Sequence, residues 1–408
     1  MREGWKTIAL GDITQLVIDY RGKTPLKLGG DWSEQGYRAL SAKNIKTGHI
    51  VSEESIRYVD ESLYKKWMKD EVKRGDIFVT SEAPFGQIYY WNSDEKIVLS
   101  QRLFDVRIID EVESKYVYYY MTSNPFQKEL DGRATGTTVI GLRQPELMKC
   151  QIKLPPLEAQ RRIASILSSL DEKIDLNNRI NANLEAQAQA LFKSWFIDFE
   201  PFKDGEFVDS ELGRIPKGWK VGKLSDVAII NPKLSLKKGH NASYLDMSAM
   251  PTKGPWPKNI EEKAYSGGMK FQNRDTLMAR ITPCLENGKV AYVNFLNGDE
   301  IGFGSTEFIV MRPQNGILPE LLYCLCREPN FVSYATKNMN GSSGRQRVSG
   351  ETIGNYSIPI PPIGAITPLI PIFQNIMDAI ANNGLESQRL AELRDTLLPR
   401  LMSGEIAL

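Results

Sequence analysis

Apolar residues recur at intervals of seven positions, in two offset rows, over about 40 residues that begin at Leu157. One row contains Ile163, Leu170, Leu184 and Leu191, and the other contains Leu167, Ile174, Ala188 and Trp195. The rows are four positions apart, which is the a/d spacing of a coiled coil. The stretch contains neither proline nor glycine, so it predicts one helix over 157–197, about 60 Å long at about 1.5 Å per residue. An apolar seam of this length requires a partner helix.

The same pattern returns 206 positions later, as the step from Leu170 to Ile376 shows. The second rows contain Leu369, Phe373, Ile376, Ile380, Leu390 and Leu397. The polar interruption is repeated as well, because Asn177 corresponds to Asn383. We interpret these two residues as a buried amide pair that fixes the register of two paired helices. The alternative is that both are exposed near the middle of a helix.

The sequences that flank the helices are duplicated too. The motif LPPL at 154–157 returns as IPPI at 360–363, GWK at 4–6 returns at 218–220, and DIFVTSEAP at 76–84 returns as DTLMARITP at 275–283. Between these landmarks the two copies hardly agree, so one scaffold carries two different sets of loops. We therefore predict an α+β fold in which two similar mixed α/β domains are separated by two long antiparallel coiled-coil helices. The two domains should lie at opposite ends of the helix pair, related by a pseudo-twofold axis.

The duplication also sets the expected boundaries. We expect the first domain at 1–156, the central helix at 157–197, a linker at 198–214, the second domain at 215–361, and a distal helix with a tail at 362–408. Short runs such as Asp76–Thr80 and Leu103–Ile109 predict strands, and Val112–Thr122 predicts a helix. With Thr367 as N-cap and Pro368 at its first position, the distal helix is predicted to begin about a turn later than the central one.

The composition is that of an ordinary soluble globular protein, with 41% hydrophobic and 25% charged residues. The sequence has no apolar run of about 18 residues and no signal-peptide core at its N-terminus, so we expect a cytoplasmic protein without membrane contact. The formal net charge of +1 neither requires nor excludes nucleic acid as a partner. Binding of nucleic acid would require basic residues to be concentrated on particular surfaces.

The motifs of catalysis and metal binding are incomplete. Gly22-Lys23-Thr24 lacks the first glycine of a P-loop, because Val17 occupies that position. Ser123-Asn124-Pro125-Phe126 has only one of the two prolines of an amino-methyltransferase motif, and Glu71-Val72-Lys73 has no identifiable acidic partner for nuclease chemistry. The four cysteines have no metal or disulfide spacing, and the chain has two histidines. We expect no catalytic residues and no metal site.

Four segments together resemble the specificity subunit of type I restriction-modification systems, and the resemblance extends over the full length. These segments are PPLEAQRR at 155–162, LFKSWF at 191–196, ELGRIPKGW at 211–219 and LLPRLMSGEI at 397–406. The resemblance implies a non-catalytic subunit with two target recognition domains, each of which reads one half of an asymmetric bipartite sequence in double-stranded DNA.

The resemblance also implies the partners of the chain. The two helices would bind two methyltransferase subunits, and restriction/translocase subunits would complete the nuclease. Those partner subunits would bind S-adenosylmethionine, ATP and Mg²⁺, whereas this chain would bind no cofactor. We further expect the length of the helices to set the spacing between the two half-sites.

The candidates for DNA contacts lie in segments that combine guanidinium and amide side chains with Gly and Ser. In the first domain they are Arg21, Lys23, Thr24, Lys43, Asn44, Ser81, Gln101, Arg102, Thr137, Thr138 and Arg143. In the second domain they are Arg280, Thr282, Asn287, Lys289, Thr306, Ser342, Ser343, Arg345, Gln346 and Arg347. Guanidinium and amide groups bond to guanine and adenine edges, and Gly and Ser let the backbone approach phosphate. Each candidate could instead be a plain turn residue, and Asn287-Gly288 is also typical of a tight hairpin.

Two other functions stay open on sequence alone. A DNA-binding adaptor of a methylation-only system, or an orphan subunit that alters another system's target, would carry the same motifs. A structural coiled-coil protein without DNA function is the other alternative. The duplicated Gly-Trp domains and the basic turn loops argue against the structural protein.

Overall fold

The computed structural model describes residues 4–136, 140–342 and 344–406. Over these residues the chain forms two compact units. The first unit runs to Glu172 and includes the segment from Leu390 onwards, and the second unit comprises Lys173–Arg389. Each of the two long helices therefore has one end in each unit.

The first unit is a mixed α/β domain joined to parts of both long helices. Its strands are β1 (Lys6–Ala9), β2 (Thr14–Asp19), β3 (Tyr37–Leu40), β4 (Ile45–Lys46), β5 (His49–Ile50), β6 (Arg57–Val59), β7 (Ile77–Thr80), β8 (Ile88–Tyr90), β9 (Val98–Leu99), β10 (Leu103–Ile108) and β11 (Gln151–Leu154). Its helices are α1 (Glu61–Trp67), α2 (Ser114–Thr122), α3 (Asn124–Arg133), α4 (Gln144–Met148) and the first part of α5 (Leu157–Phe196).

The central sheet of the first unit is antiparallel, with the order β2-β10-β7-β8. Alternate residues of its strands face two different apolar clusters, because side chains along a strand point to opposite faces. Ile77 and Val79 share a cluster with Tyr116 of α2, whereas Phe78 shares one with Leu40 of the smaller sheet β6-β3-β9. The sheet is thus covered on both faces, which explains why the short strand β7 is buried along its whole length.

The second unit repeats this architecture. Its strands are β12 (Phe207–Ser210), β13 (Gly213–Pro216), β14 (Lys220–Lys223), β15 (Ala228–Ile230), β16 (Asn241–Leu245), β17 (Glu261–Ala264), β18 (Met269–Phe271), β19 (Thr276–Ala279), β20 (Val290–Tyr292), β21 (Gly302–Gly304), β22 (Phe308–Pro313) and β23 (Ser357–Ile360). Its helices are α6 (Leu224–Val227), α7 (Pro319–Arg327), α8 (Pro329–Lys337), α9 (Gly350–Gly354), α10 (Ile363–Ile366) and most of α11 (Leu369–Met402).

The order of the strands shows that the duplication in the sequence is a duplication of the fold. The central sheet of the second unit has the order β15-β22-β19-β20, which matches β2-β10-β7-β8 strand for strand. In each unit an antiparallel pair, β1-β11 or β14-β23, joins the beginning of the domain to the strand that precedes a long helix. The prediction of two similar mixed α/β domains is confirmed.

Two segments contain structure that the sequence did not predict. The stretch 198–214 forms β12 and the start of β13, a hairpin in which Phe207 lies opposite Pro216. The rings of Phe199 and Phe202 lie 5.2 and 5.3 Å from the ring of Trp219, so this stretch is packed onto the second unit. The distal helix begins with the short piece α10, which was not predicted, and its long part α11 begins at Leu369, close to the predicted start. Thr367 is not the predicted N-cap, because its φ of −52° and ψ of −40° are helical.

Helices α5 and α11 run antiparallel within each unit. In the second unit Lys173 pairs with Glu386 at 3.0 Å, and Asn181 donates to the backbone carbonyl of Ile380 at 3.2 Å. As the residue numbers along α5 rise from 173 to 181, those of the partners on α11 fall from 386 to 380, so the two helices run in opposite directions. In the first unit Arg394 of α11 pairs with Asp171 of α5 at 2.7 Å. Among the helices described, none has an apolar stretch long enough to cross a membrane.

The predicted seam positions fall into two groups. Those that are buried are Ile163, Leu167, Asn177, Leu369, Phe373, Ile376 and Ile380. Those that are partly exposed are Leu170, Ile174, Leu184, Leu191, Asn383, Leu390 and Leu397. The burial of Asn177 is inconsistent with the alternative in which both asparagines are exposed.

The expected amide-to-amide bond between Asn177 and Asn383 is not formed. Nδ2 of Asn177 donates to the backbone carbonyl of Asn383 at 3.4 Å and to the carboxylate of Glu386 at 2.8 Å. Nδ2 of Asn383 donates to Oδ1 of Asn181 at 2.8 Å. In an antiparallel pair the corresponding positions are offset along the axis, so each amide reaches a group about one turn away. A wider polar layer therefore replaces the single amide pair.

A buried ion pair occurs at the same place in both units. Asp76, in the turn before β7, accepts two bonds from Arg107 of β10 at 2.8 and 2.7 Å. Asp275, in the turn before β19, accepts two bonds from Arg312 of β22 at 2.8 and 2.7 Å. Both carboxylates are 1% exposed. Two parallel bonds to one guanidinium fix the strand against the turn at this end of each central sheet.

The first unit carries one buried acid that the second lacks. Asp105 of β10 is wholly buried, and neither of its carboxylate oxygens has a hydrogen-bond partner among the described residues. Burial, together with the nearby charge of Asp76, raises the pKa of Asp105 well above its usual value. Val310 is the corresponding residue of β22, because Asp105 lies opposite Phe78 and Val310 lies opposite Leu277 on matching strands.

We expect Asp105→Val to increase the free energy of unfolding at pH 8 by roughly 1–3 kcal/mol, because it removes a buried carboxyl group to which no described residue donates a hydrogen bond. Since the pKa of Asp105 is raised on folding, its contribution is most favourable below the unfolded-state pKa of about 4. That contribution is lost as the pH rises towards the folded-state pKa, and the variant should remove this dependence. Urea unfolding at pH 5 and pH 8 measures both effects.

The matched control is Asp76→Asn, which removes a neighbouring carboxylate that is paired. Breaking a buried ion pair costs about 3–5 kcal/mol, so this variant should be less stable than the wild type. Destabilisation by both variants would contradict the account of Asp105.

Candidate nucleic-acid interface

Several loops converge at one end of the central sheet of the first unit. This end is formed by the last residues of β2 and β7 and the first residues of β8 and β10. Ser81 donates its backbone N–H to the carbonyl of Arg102 at 2.9 Å, and Leu142 donates to the carbonyl of Ser81 at 2.9 Å. The backbone N–H of Ala42 donates to the carbonyl of Gln101 at 3.1 Å. We call the segments 20–24, 41–44, 81–87, 100–102 and 140–143 the first loop edge.

The second unit builds the same edge at the corresponding end of its sheet. The backbone N–H of Arg280 donates to the carbonyl of Glu307 at 3.0 Å, and that of Val348 donates to the carbonyl of Arg280 at 3.0 Å. Thr282 donates to the carbonyl of Gln346 at 3.1 Å. We call the segments 231–240, 280–289, 305–307, 340–342 and 344–349 the second loop edge. The fold thus brings most candidates of each domain, which are dispersed along the sequence, to one place.

Each loop edge is crossed by an ion pair. In the first, Arg102 lies 3.1 Å from Glu82, and in the second, Arg347 pairs with Glu307 at 2.7 Å. The hydrogen bonds from Arg347 hold the pKa of Glu307 below its usual value. A carboxylate beside each guanidinium fixes the orientation of the side chain and reduces the positive charge that the edge presents.

Two candidates are buried, and we withdraw them as direct base contacts. Asn44 is wholly buried, and its amide donates to the carbonyl of Ser52 and to the hydroxyl of Ser55, both at 3.2 Å. Ser81 is also buried, and its hydroxyl has no hydrogen-bond partner among the described residues. Asn closes turns by bonding to the local backbone, and the same side chain suits base recognition. The sequence therefore could not separate the two roles.

Other candidates are half-buried and already engaged. Arg21 bonds to Asp19 at 2.8 Å and lies 4.1 Å above the ring of Phe104. Lys23 donates to the carbonyl of Trp67, and burial lowers the pKa of this lysine. Lys289 donates to the carbonyl of Met247 at 2.7 Å, and the Thr282 hydroxyl lies 3.3 Å from Glu286. The half-buried group also includes Thr24, Arg280 and Arg347.

The remaining described candidates are exposed, and they are Lys43, Gln101, Arg102, Arg143, Asn287, Thr306, Ser342, Arg345 and Gln346. Thr137, Thr138 and Ser343 lie outside the described residues. Arg280 differs from its neighbours because its buried Nε has no hydrogen-bond partner among the residues described. A donor of this kind at the loop edge suits an acceptor on a ligand.

The sequence did not identify one basic loop of the second edge. After β15, Lys233, Lys237, Lys238 and His240 are all exposed. Asn231 anchors this loop, because its Oδ1 accepts from the backbone N–H of Val310 at 3.0 Å. The loop follows β15 as the segment Arg21–Thr24 follows β2, so alignment by strand order would have found it.

Among the described residues, no group of three or more His, Cys, Asp or Glu side chains could hold a metal ion. Cys150 is buried, and burial raises the pKa of its thiol to about 12. Burial also raises the pKa values of Cys324 and Cys326, so these three thiols stay protonated and unreactive.

Comparison with known proteins finds one family model that matches the chain twice. The family model described as the type I restriction modification DNA specificity domain matches residues 2–186 and 216–394. The MjaIX specificity subunit of a type I restriction enzyme from Methanocaldococcus jannaschii is 29% identical over 377 residues, which cover 88% of this chain and 84% of that one. The HindI specificity subunit from Haemophilus influenzae is 23% identical over 419 residues, with coverage of 83% and 88%.

One solved structure shares the fold. The S subunit of a type I restriction-modification system from M. genitalium superposes with a TM-score of 0.61 at 15% identity, over 97% of this chain and 96% of that chain. The two matches to the family model fall on the two copies of the fold and together extend over most of the sequence. The chain belongs to the family of type I restriction-modification DNA specificity proteins.

Proposed function

We propose that this chain is the non-catalytic DNA-recognition subunit of a type I restriction-modification complex. Each loop edge binds one half of an asymmetric bipartite site in double-stranded DNA. The observation that carries this proposal is that one scaffold is built twice and bears different side chains at equivalent places. Gln101 and Arg102 precede β10, whereas Thr306 and Glu307 precede β22, so the two edges suit two different sequences.

Local charge supports binding of DNA in spite of the small net charge. The basic loop with Lys233, Lys237 and Lys238 belongs to the second edge, and other segments of that edge carry exposed amide and guanidinium groups. Lysines of this kind neutralise phosphates without reading bases, whereas Gln346 and Arg345 can bond to base edges. Because both edges belong to one chain, binding of one half-site raises the effective concentration of the other edge at its own half-site.

The helices supply a surface for partner subunits. Leu176 and Ile180 of α5 and Leu385 of α11 are exposed large apolar residues. Leu176 and Ile180 are four positions apart on one helical face, which suits coverage by another protein. We assign this role to two methyltransferase subunits, to which the restriction subunits are added. In this assignment S-adenosylmethionine, ATP and Mg²⁺ are bound by the partners.

We expect methylome sequencing of a methylation-deficient host that expresses this chain with its methyltransferase subunit to show a bipartite adenine motif. Omission of the chain should abolish the motif. Removal of four residues from one long helix should shift one half-site by about 6 Å, close to two base pairs. An active complex without any motif would contradict the proposed function, and an unchanged spacer in the shortened variant would contradict the role of the helices in spacing.

Single substitutions at the two edges should relax different halves of the motif. We expect Gln346→Ala to reduce discrimination in one half roughly 5- to 150-fold and Gln101→Ala to do so in the other, because one base contact contributes about 1–3 kcal/mol. Methylation rates on duplexes with single base changes measure the effect.

Two control variants distinguish base contacts from general effects. Gln35→Ala changes an exposed glutamine before β3, outside the segments of the first loop edge, and should leave both halves unchanged. Lys237→Ala should weaken binding to all sequences and reduce the slope of log K against log salt by about 1. Reduced discrimination in both halves, caused by Gln346→Ala or by Gln101→Ala, would contradict the assignment of one edge to each half.

A further inference from the structure

Arg327, the last residue of α7, uses its guanidinium to hold two segments of the second unit. Its Nη1 donates to the backbone carbonyls of Thr252 and Gly288 at 2.7 and 2.8 Å. Its Nη2 donates to those of Gly254 and Val290 at 2.7 and 3.2 Å. With the bond from Nε, all five N–H donors of the side chain are engaged, and lysine has only three.

The bond from Nε connects Arg327 to the central helix. It reaches the hydroxyl of Tyr323 at 3.2 Å, and this hydroxyl donates in turn to the carboxylate of Glu185 on α5. Burial raises the pKa of Tyr323, so the hydroxyl stays protonated and remains a donor. The side chains of Arg327 and Glu185, 3.6 Å apart, are only 12% and 16% exposed, so water screens their attraction weakly.

Two segments meet at this guanidinium. One is the strap 251–257, which contains Thr252 and Gly254. The strap is seated on α11 by Trp256, whose indole lies so close to Gly384 that a Cβ there would be 2.5 Å from the ring. The other is the loop 280–289 of the second loop edge, whose last turns are fixed through the carbonyls of Gly288 and Val290. Arg327 thus joins the loop, the strap and both long helices.

Among its described residues, the first unit has no arginine at the position that corresponds to Arg327. Helix α2 corresponds to α7, and its last residue is Thr122 where α7 has Arg327. A threonine side chain has one donor and cannot hold four carbonyls. Any effect of Arg327 on DNA recognition is therefore confined to the second loop edge.

We propose that Arg327 is a positioning residue that holds the loop 280–289 against the strap and α5, so that the second loop edge discriminates bases in its half-site. This inference rests on the proposed function of the two edges. The residue does not contact DNA itself. It fixes the loop that carries Thr282, Asn287 and Lys289, and it ties that loop to the helix to which we assign the methyltransferase subunits.

The test uses Arg327→Lys in the complete chain assembled with its methyltransferase subunits. Methylation rates are measured on the cognate duplex and on duplexes with one base changed in either half, and Gln346→Ala identifies the half that belongs to the second edge. We expect discrimination in that half to fall at least about fivefold, with discrimination in the other half unchanged. We call the methylation rate on the cognate duplex divided by the rate on a changed duplex the discrimination ratio of that half. A structural defect alone would lower the amount of active complex but would leave the discrimination ratios of both halves as in the wild type.

The matched control is Arg312→Lys, which changes another nearly buried arginine of the same unit at the opposite end of the central sheet. It should leave both ratios unchanged. If Arg327→Lys does not assemble, Glu185→Gln is used instead. This variant keeps all five hydrogen bonds of the Arg327 guanidinium and removes only the negative charge of residue 185. It should lower the discrimination ratio of the half that belongs to the second edge by about twofold. Unchanged ratios in both Arg327→Lys and Glu185→Gln, or an equal fall in both halves, would overturn the inference. A wild type without discrimination in either half would overturn the proposed function together with it.

Discussion

A helix of 40 residues with an apolar face is stable in water only where that face is covered, and this requirement organises the chain. Helix α11 covers the face of α5 within each unit. The first unit uses the early part of α5 with the end of α11, and the second uses the rest of both. Each mixed domain is therefore attached to two helices, one from the middle of the sequence and one from near its end. Truncation of either helix should expose apolar seam in the unit that loses it.

The polar layer in the second unit adds specificity to this pairing. Asn177 is buried and bonds to Asn383 and Glu386, whereas a leucine there would pack in several alignments. Lys173 and Asn181 extend the same layer by about one turn in each direction. One register is favoured because a shift of the helices would leave these groups buried without partners.

The parts of the structure that could be predicted are those that a local sequence pattern determines. The seven-residue repeat predicts α5, whose bounds are Leu157–Phe196, and the repeated sequence around Asp76 and Asp275 predicts matching strands. The choice among loop residues was not predictable, because Asn44 has the chemistry of a base contact and the environment of a buried turn. No local sequence pattern indicates the role of Arg327 either. It depends on segments near 185, 252–254 and 288–290 that meet only in the fold.

If the two loop edges recognise DNA independently, each domain carries its own half of the target. Exchange of residues 215–361 for the corresponding domain of a relative with a different target, followed by methylome sequencing, is the decisive experiment. We expect a hybrid motif in which one half is new and the other half is unchanged. A motif in which both halves change, in an assembled and active complex, would contradict it.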